Sequence, residues 1–332
     1  MAIGSGMGSS FGIAVQTASY TTRVAPDTFF VANSYSINRT QNRVQGEGIL
    51  GGNFGDLLDH YVETINGAEA TVSFDVQSKK MGKFLNVLMG GTVTATQIGT
   101  TGAYTQTHTI SDPLGKYLTM QIAAPYRTGT NVVHELVGGK VLSTEFQCDL
   151  DGILTCNAQI DGYSFDTTQS LASPSWASTQ VFSGKTASFK LGASIASASS
   201  VSGVRSFNCT VERSVDSEDY TFDQSGRKKE PVLNGPTKIT GSVTVDWLDK
   251  TVFQDRVEAN TSCALVFEVT AATVIGGSTY PTFRISLPSV VWSGDMQGVD
   301  SKDVLQSTWD FEWKYDGTNL PYITYISADT TL

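Results

Sequence analysis

Two stretches have the glycine spacing of phosphate-binding loops. Gly46-Glu47-Gly48-Ile49-Leu50-Gly51 satisfies Gly-x-Gly-x-x-Gly, and Ser183-Gly184-Lys185-Thr186 resembles the end of a P-loop. Both chemistries need a helix N-terminus aimed at phosphate and fed from a buried strand. Neither context is present. A polar, arginine-containing stretch precedes Gly46, and Gly52-Asn53-Phe54-Gly55 follows the motif. Thr179 stands where the first P-loop glycine belongs, and Ala187-Ser188-Phe189-Lys190-Leu191 alternates as a strand. A flexible loop is the plainer reading of each. His134-Glu135 has Gly138 where a zinc helix needs its second histidine. His60 and His108 are far from it in sequence, and no Gly-x-Ser-x-Gly elbow supports a nucleophile. The pairs Asp149/Asp151 and Asp300/Asp303 sit by turns, where a solvated turn is the commoner use of two carboxylates. Cys148, Cys156, Cys209 and Cys263 form no Cys-x-x-Cys. An Asp151-Gly152 turn would set Cys148 opposite Thr155, so no hairpin disulfide is implied and buried, reduced thiols are expected. The residues therefore point away from an enzyme, with no catalytic constellation, no metal site and no cofactor.

Charge narrows the classes further. The chain of 332 residues is 40% apolar but only 16% charged, with a net charge of −10. Ser, Thr, Gly and Asn replace the missing charge, which suits a surface that rests against other copies of itself. Residues 1–165 carry 9 basic and 13 acidic groups, and the remainder 13 and 19, so acidity is shared by both halves. Gripping nucleic acid needs clustered Lys and Arg. The one basic run, Arg227-Lys228-Lys229, shares its loop with Glu230 and with Asp216-Ser217-Glu218-Asp219. Docking on complementary charge of a neighbouring subunit is the expected use of such a loop. The N-terminal residues lack the charged and apolar regions of a signal peptide, and no stretch approaches the ~18–20 apolar residues that span a bilayer.

The elements that position these residues repeat. Asn66-Gly67 and the run Val72-Ser73-Phe74-Asp75-Val76 recur as Asn234-Gly235 and Val243-Thr244-Val245-Asp246-Trp247. Ser36-Ile37-Asn38-Arg39 matches Thr210-Val211-Glu212-Arg213 in character, and Phe11 to Val15 has a counterpart in Ala187 to Leu191. Most segments alternate. In Thr308-Trp309-Asp310-Phe311-Glu312-Trp313-Lys314-Tyr315 the aromatics share one face. Asn-Gly and Asp-Gly turns punctuate the strands, which predicts antiparallel β structure as a sandwich or barrel. One helix per half is expected, over 79–88 and 249–257. The division is a flexible arm at 1–10, a domain at 11–165, a Ser/Thr/Pro-rich linker at 166–185 and a second domain at 186–332. Long polar loops are expected at 38–60 and 212–231, in corresponding places.

Taken in order and spacing, several segments resemble the major tail tube proteins of long-tailed, non-contractile bacteriophages. These are Met1 to Gly6, Ala25-Pro26-Asp27-Thr28-Phe29-Phe30, Ser36-Ile37-Asn38-Arg39 leading to Gly46-Glu47-Gly48-Ile49, Leu142-Ser143-Thr144-Glu145-Phe146, Arg227 to Gly235 and Ile285-Ser286-Leu287-Pro288. The similarity covers nearly the whole chain, with the shorter members' domain duplicated. It implies a mainly β fold of two tandem tail-tube-like β-sandwich or partial-barrel domains, each with one short flanking helix and a long loop. It also implies a virion protein made in the host bacterial cytoplasm. Copies would self-assemble into stacked rings, three chains per ring favoured over six, around a lumen through which genomic DNA passes unbound. Tape measure and tail-tip or terminator proteins are the implied partners. Arg39, Arg43, Glu47, Arg213, Asp216, Glu218, Asp219, Arg227, Lys228, Lys229 and Glu230 become candidate inter-subunit contacts. The alternative is a two-domain β-sandwich adhesin or carbohydrate-binding protein that stacks sugars on Trp292, Trp309, Trp313 and Tyr315, although core packing is the commoner use of alternating aromatics.

Overall fold

The computed structural model describes residues 8–48, 55–125, 131–247, 250–294 and 305–332. Most of the N-terminal arm, part of the Gly46–Gly51 motif and the Asp300/Asp303 pair lie outside them. In the first half the chain runs through β1 (Ser10–Gln16), β2 (Thr28–Phe30), β3 (Ala32–Gln45), β4 (Tyr61–Asp75) and helix α1 (Gly82–Met89). It continues through β5 (Thr96–Gln97), β6 (Tyr104–Thr109), β7 (Tyr117–Pro125), β8 (Asn131–Asp149), β9 (Thr155–Gly162) and β10 (Ser164–Asp166). The second half holds β11 (Ala187–Gly192), β12 (Ser199–Ser200), β13 (Val204–Glu212), β14 (Lys238–Asp246) and helix α2 (Gln254–Glu258). Then come β15 (Cys263–Thr270), β16 (Thr282–Ser293), β17 (Gln306–Trp313) and β18 (Tyr322–Ser327). The architecture is mainly β; among the described residues the strands form one 18-stranded antiparallel sheet that does not close into a barrel.

Both halves are wired alike. In the first, β1 pairs β7, β3 pairs β4, β4 pairs β9, and β8 pairs both β7 and β9. In the second, β11 pairs β15, β13 pairs β14, β14 pairs β17, and β16 pairs both β15 and β17. Even the irregularities coincide. A bulge at Asn33 separates Ala32↔Phe74 from Ser34↔Ser73, and one at Arg205 separates Val204↔Val245 from Ser206↔Thr244. Each bulged side chain then bonds the aspartate that ends the opposing strand. Asn33 donates to Asp75 at 2.8 Å and Arg205 to Asp246 at 2.7 Å. A bulge adds one residue and re-aims the strand, so a shared bulge is a shared design feature. The registers align Ile37 with Cys209, two residues away from the match suggested by residue character.

The long strands β8 and β16 change layers midway. The first part of β8 pairs with β7 and β10, and its last part with β9 and β13. The β8·β13 pairing, from Ser143↔Glu212 to Asp149↔Ser206, joins the halves edge to edge. A second seam joins β18 to β6, with Ile323 opposite His108. The apolar faces form one cluster across both halves. Phe146 meets Phe283 at 5.1 Å across the division, and Phe207 stacks on Phe267 at 4.1 Å. Each fully buried aromatic contributes on the order of 2–3 kcal/mol of transfer free energy.

Among the described residues each half has one α-helix, shorter than the pattern predicts. α1 buries Phe84, Leu85 and Leu88 and stops at Gly90, whose φ of +79° and 2.7 Å Cβ clearance to Ser111 O leave room for glycine alone. α2 keeps only Gln254–Glu258, with Phe253 stacked on Trp309. The stretch at 166–185 is no free tether. Phe182 is fully buried, and Leu154 and Ser78 donate to the Phe182 and Gln180 carbonyls. All four cysteines are buried and free. Gln147, and not Cys148, lies opposite Thr155.

Candidate assembly surface

Four strands from each half form a continuous ribbon in the order β3·β4·β9·β8·β13·β14·β17·β16. Alternation divides its faces. One carries Ile37, Val72, Phe74, Ile160, Phe146, Phe207, Val243, Trp309 and Phe311, all buried in the core. The opposite face carries Ser36, Asn38, Glu69, Thr71, Asn157, Gln159, Ser143, Glu145, Asn208, Thr210, Glu212, Ser242, Thr244, Thr308 and Asp310, exposed or half-buried. Its ordering bonds are short and local, such as Ser36 to Thr71 at 2.8 Å and Thr244 to Thr308 at 3.0 Å. Glu69, Glu145, Glu212, Asp310 and Glu312 make this face acidic, with Lys238 at its margin. Such a wall repels phosphate. None of these acids is among the candidate contacts that the sequence offered. The signal lay in the polar half of each alternating run, but which half faces solvent is fixed only by strand order.

The two expected long loops fold differently. In the first half, β3 and β4 pair from Ala32↔Phe74 out to Gln45↔Tyr61, so the polar stretch after Asn38 is largely a projecting hairpin. Arg39 lies over Phe165 at 5.4 Å, and Arg43 over Tyr61 at 5.8 Å with Glu63 at 3.9 Å. Glu47 is exposed beyond the strand. Val44, Leu58, Tyr61 and Val62 of this hairpin are also exposed.

In the second half the loop turns back onto the first. Lys228 is buried and bonds Asp161, its ammonium 5.5 Å over the Tyr220 ring. Burial pushes the Asp161 carboxyl up to about 6 against the opposing pull of Lys228, so the pair is charged at neutral pH. Burial acts to lower the Lys228 pKa, but the bond and charge of Asp161 raise it more. Arg227 lies over Tyr163 at 5.2 Å, and Asn66 N donates to Gly226 O at 2.9 Å. Glu230 accepts from buried Lys140 at 2.7 Å and from Gly115 N at 2.6 Å. Arg213 is buried, donates to Ser111 O, and is lowered to about 10 by desolvation. Asp216 accepts from Glu218 N at 3.1 Å, Asp219 O accepts from Lys229 N at 3.0 Å, and Lys229 faces Asp223 at 3.9 Å. The structure thus gathers Arg213, Lys228 and Glu230 into contacts within the chain and leaves Arg39, Arg43, Glu47, Glu218 and Lys229 exposed.

Among the described residues no cluster of three His, Cys, Asp or Glu could hold a metal ion. Gly184–Thr186 is a single 3-10 turn that leads into strand β11, so the P-loop-like stretch aims no helix. His108 is fully buried and held near pKa 4 by desolvation.

A family model described as phage tail tube protein matches residues 6–312. The chain belongs to the phage tail tube protein family. No curated protein matches it. The tail tube family is structural: its members associate into a tube in the virion tail and contact other tail components. In this tail tube protein no helix among the described residues is long and apolar enough to cross a membrane.

Proposed function

We propose that this tail tube protein self-assembles into stacked rings that form the conduit for DNA ejection. Residues 11–165 and 186–332 are two tandem tube domains, with 166–185 between them and 1–10 as an arm. Three chains complete a ring with pseudo-sixfold symmetry. The observation that carries the reading is the β8·β13 junction, where two blocks of similar wiring meet edge to edge. Repeating that junction between chains extends the ribbon. β3 has one strand partner among the described residues, so its outer edge is open to this use. An open edge invites pairing, and closing the ring removes it. Stacking is heterologous and therefore propagates.

The acidic ribbon face lines the bore, where it lets DNA slide without specific binding and needs no cofactor. Tape measure and terminator proteins would meet the bore and the tube end. Arg39, Arg43, Glu47, Glu218, Lys229 and fully exposed Phe222 are the contacts left for neighbouring chains. The adhesin reading loses Trp292 and Trp309, which are core residues. Negative-stain electron microscopy with mass photometry tests the proposal. Rings or tubes are expected. A chain that stays monomeric at every concentration and salt, alone or beside pre-formed tail tips, would end it.

A further inference from the structure

The first half's loop-docking site has a counterpart in the second half, and among the described residues that counterpart is an open cleft. Strand registers align Glu69↔Asp161 with Thr240↔Glu312, so Glu312 stands where Asp161 stands. Gly162 then corresponds to Trp313, Tyr163 to Lys314, and Gly67 to Lys238. The docked loop of the second half covers Asp161, Tyr163 and Gly67. Around Glu312 no loop of the described residues is docked in this way. A cleft of about 590 Å³ opens there instead, walled by Trp313, Tyr315, Leu320, Leu233 and Pro236. Tyr315 is 57% exposed and Leu320 41%. The Trp313 indole N–H is buried without a partner. Glu312 pairs with the exposed Lys314, at 2.5 Å.

We propose that this cleft is a socket for the β3–β4 hairpin of a second copy of the chain. The inference rests on the tube reading and names the partner surfaces within it. β13 lies against β8 and feeds 213–237 onto the first half. In the first half, β3 holds the position of β13, and 41–66, of nearly equal length, holds the position of that loop. A second copy placed against the second half as the second half lies against the first therefore brings its hairpin to Trp313 and Glu312. The surfaces agree. The hairpin exposes Val44, Leu58, Tyr61 and Val62 with Arg43 beside them, and the socket offers apolar walls with one carboxylate. Exposed apolar groups on both members of a predicted pair mark an interface.

Because the native thiols are all buried, introduced cysteines can be joined selectively. Full-length chains carrying only Leu58→Cys are mixed with chains carrying only Tyr315→Cys, assembled, and treated with a flexible bismaleimide. A cross-linked heterodimer is expected, with little product when Leu150→Cys replaces Tyr315→Cys. Separately, Tyr315→Ser with Leu320→Ser, both on the surface, should raise the concentration needed for assembly by about tenfold or more while leaving the fold intact. If wild type assembles but the cross-link is no stronger than the Leu150 control and the double variant assembles normally, the socket is wrong and the tube stands. If wild type never associates, both readings fall.

Discussion

The two halves use the same wiring but treat the corresponding site differently. Around Asp161 the site is filled by this chain's own loop and sealed by a buried Lys228–Asp161 pair. Around Glu312 it is an aromatic-walled cleft with a half-exposed carboxylate. The difference teaches that a tandem chain can satisfy one copy of a contact internally and leave the next for a neighbour. In the core the halves differ in bulk: Trp309 fills the register position of Ala158, and Phe311 that of Ile160.

The largest expected effect is in the core of the second half. Trp309 is 1% exposed and packs on Phe253 and Trp247. Trp309→Ala should cost about 3–5 kcal/mol in urea unfolding, whereas Ala158→Gly at the matching position should cost about 1 kcal/mol. Next is the sealed pair. Lys228→Met leaves Asp161 buried without its partner and should cost about 3 kcal/mol at pH 7, much of it recovered in Asp161→Asn/Lys228→Met. Recovery in the double variant, read by chemical denaturation, separates pairing from packing.

Acid tests the seam between halves. The His108 pKa is depressed from 6.5 to about 4 by burial. The unfolded chain therefore binds a proton that the folded chain refuses, and this contribution is complete above 6.5 and lost as pH falls toward 4. From pH 7.5 to 5 it should fall by about 2 kcal/mol. Asp161 works in the opposite sense, because its raised pKa favours the fold as pH drops through about 6. Comparing the pH slopes of wild type and His108→Gln isolates the histidine. The smallest effect sharpens the comparison: Glu312→Gln, at the open site, should change chain stability by less than about 0.5 kcal/mol.

Much of the fold is legible in the sequence. Alternation from Val72 to Phe74 and from Thr308 to Trp313 marks strands whose apolar faces are buried, and Asn-Gly and Asp-Gly pairs mark turns. Residues 38–45 were less legible because a projecting hairpin with solvent on both sides needs no apolar face, so Asn38 to Arg43 carries no period. The bulges at Asn33 and Arg205 add single residues that alternation skips, which moves the true match of Ile37 to Cys209. The docking of 213–230 was hidden because its partners, Asp161, Lys140 and Gly115, are distant in sequence and meet it only after β8 pairs β13. Arg213, Lys228 and Glu230 were singled out by type as contacts between subunits, and the structure places them in contacts within the chain. Their partners within the chain depend on topology, which residue type does not encode.

The central claim is that the halves occupy equivalent, successive places in one ring. Top-view class averages of assembled wild type, with the mass per ring measured alongside, test it most directly. The account predicts three chains per ring and six similar lobes around the bore. Six chains per ring, with the second half outside the wall, would contradict it.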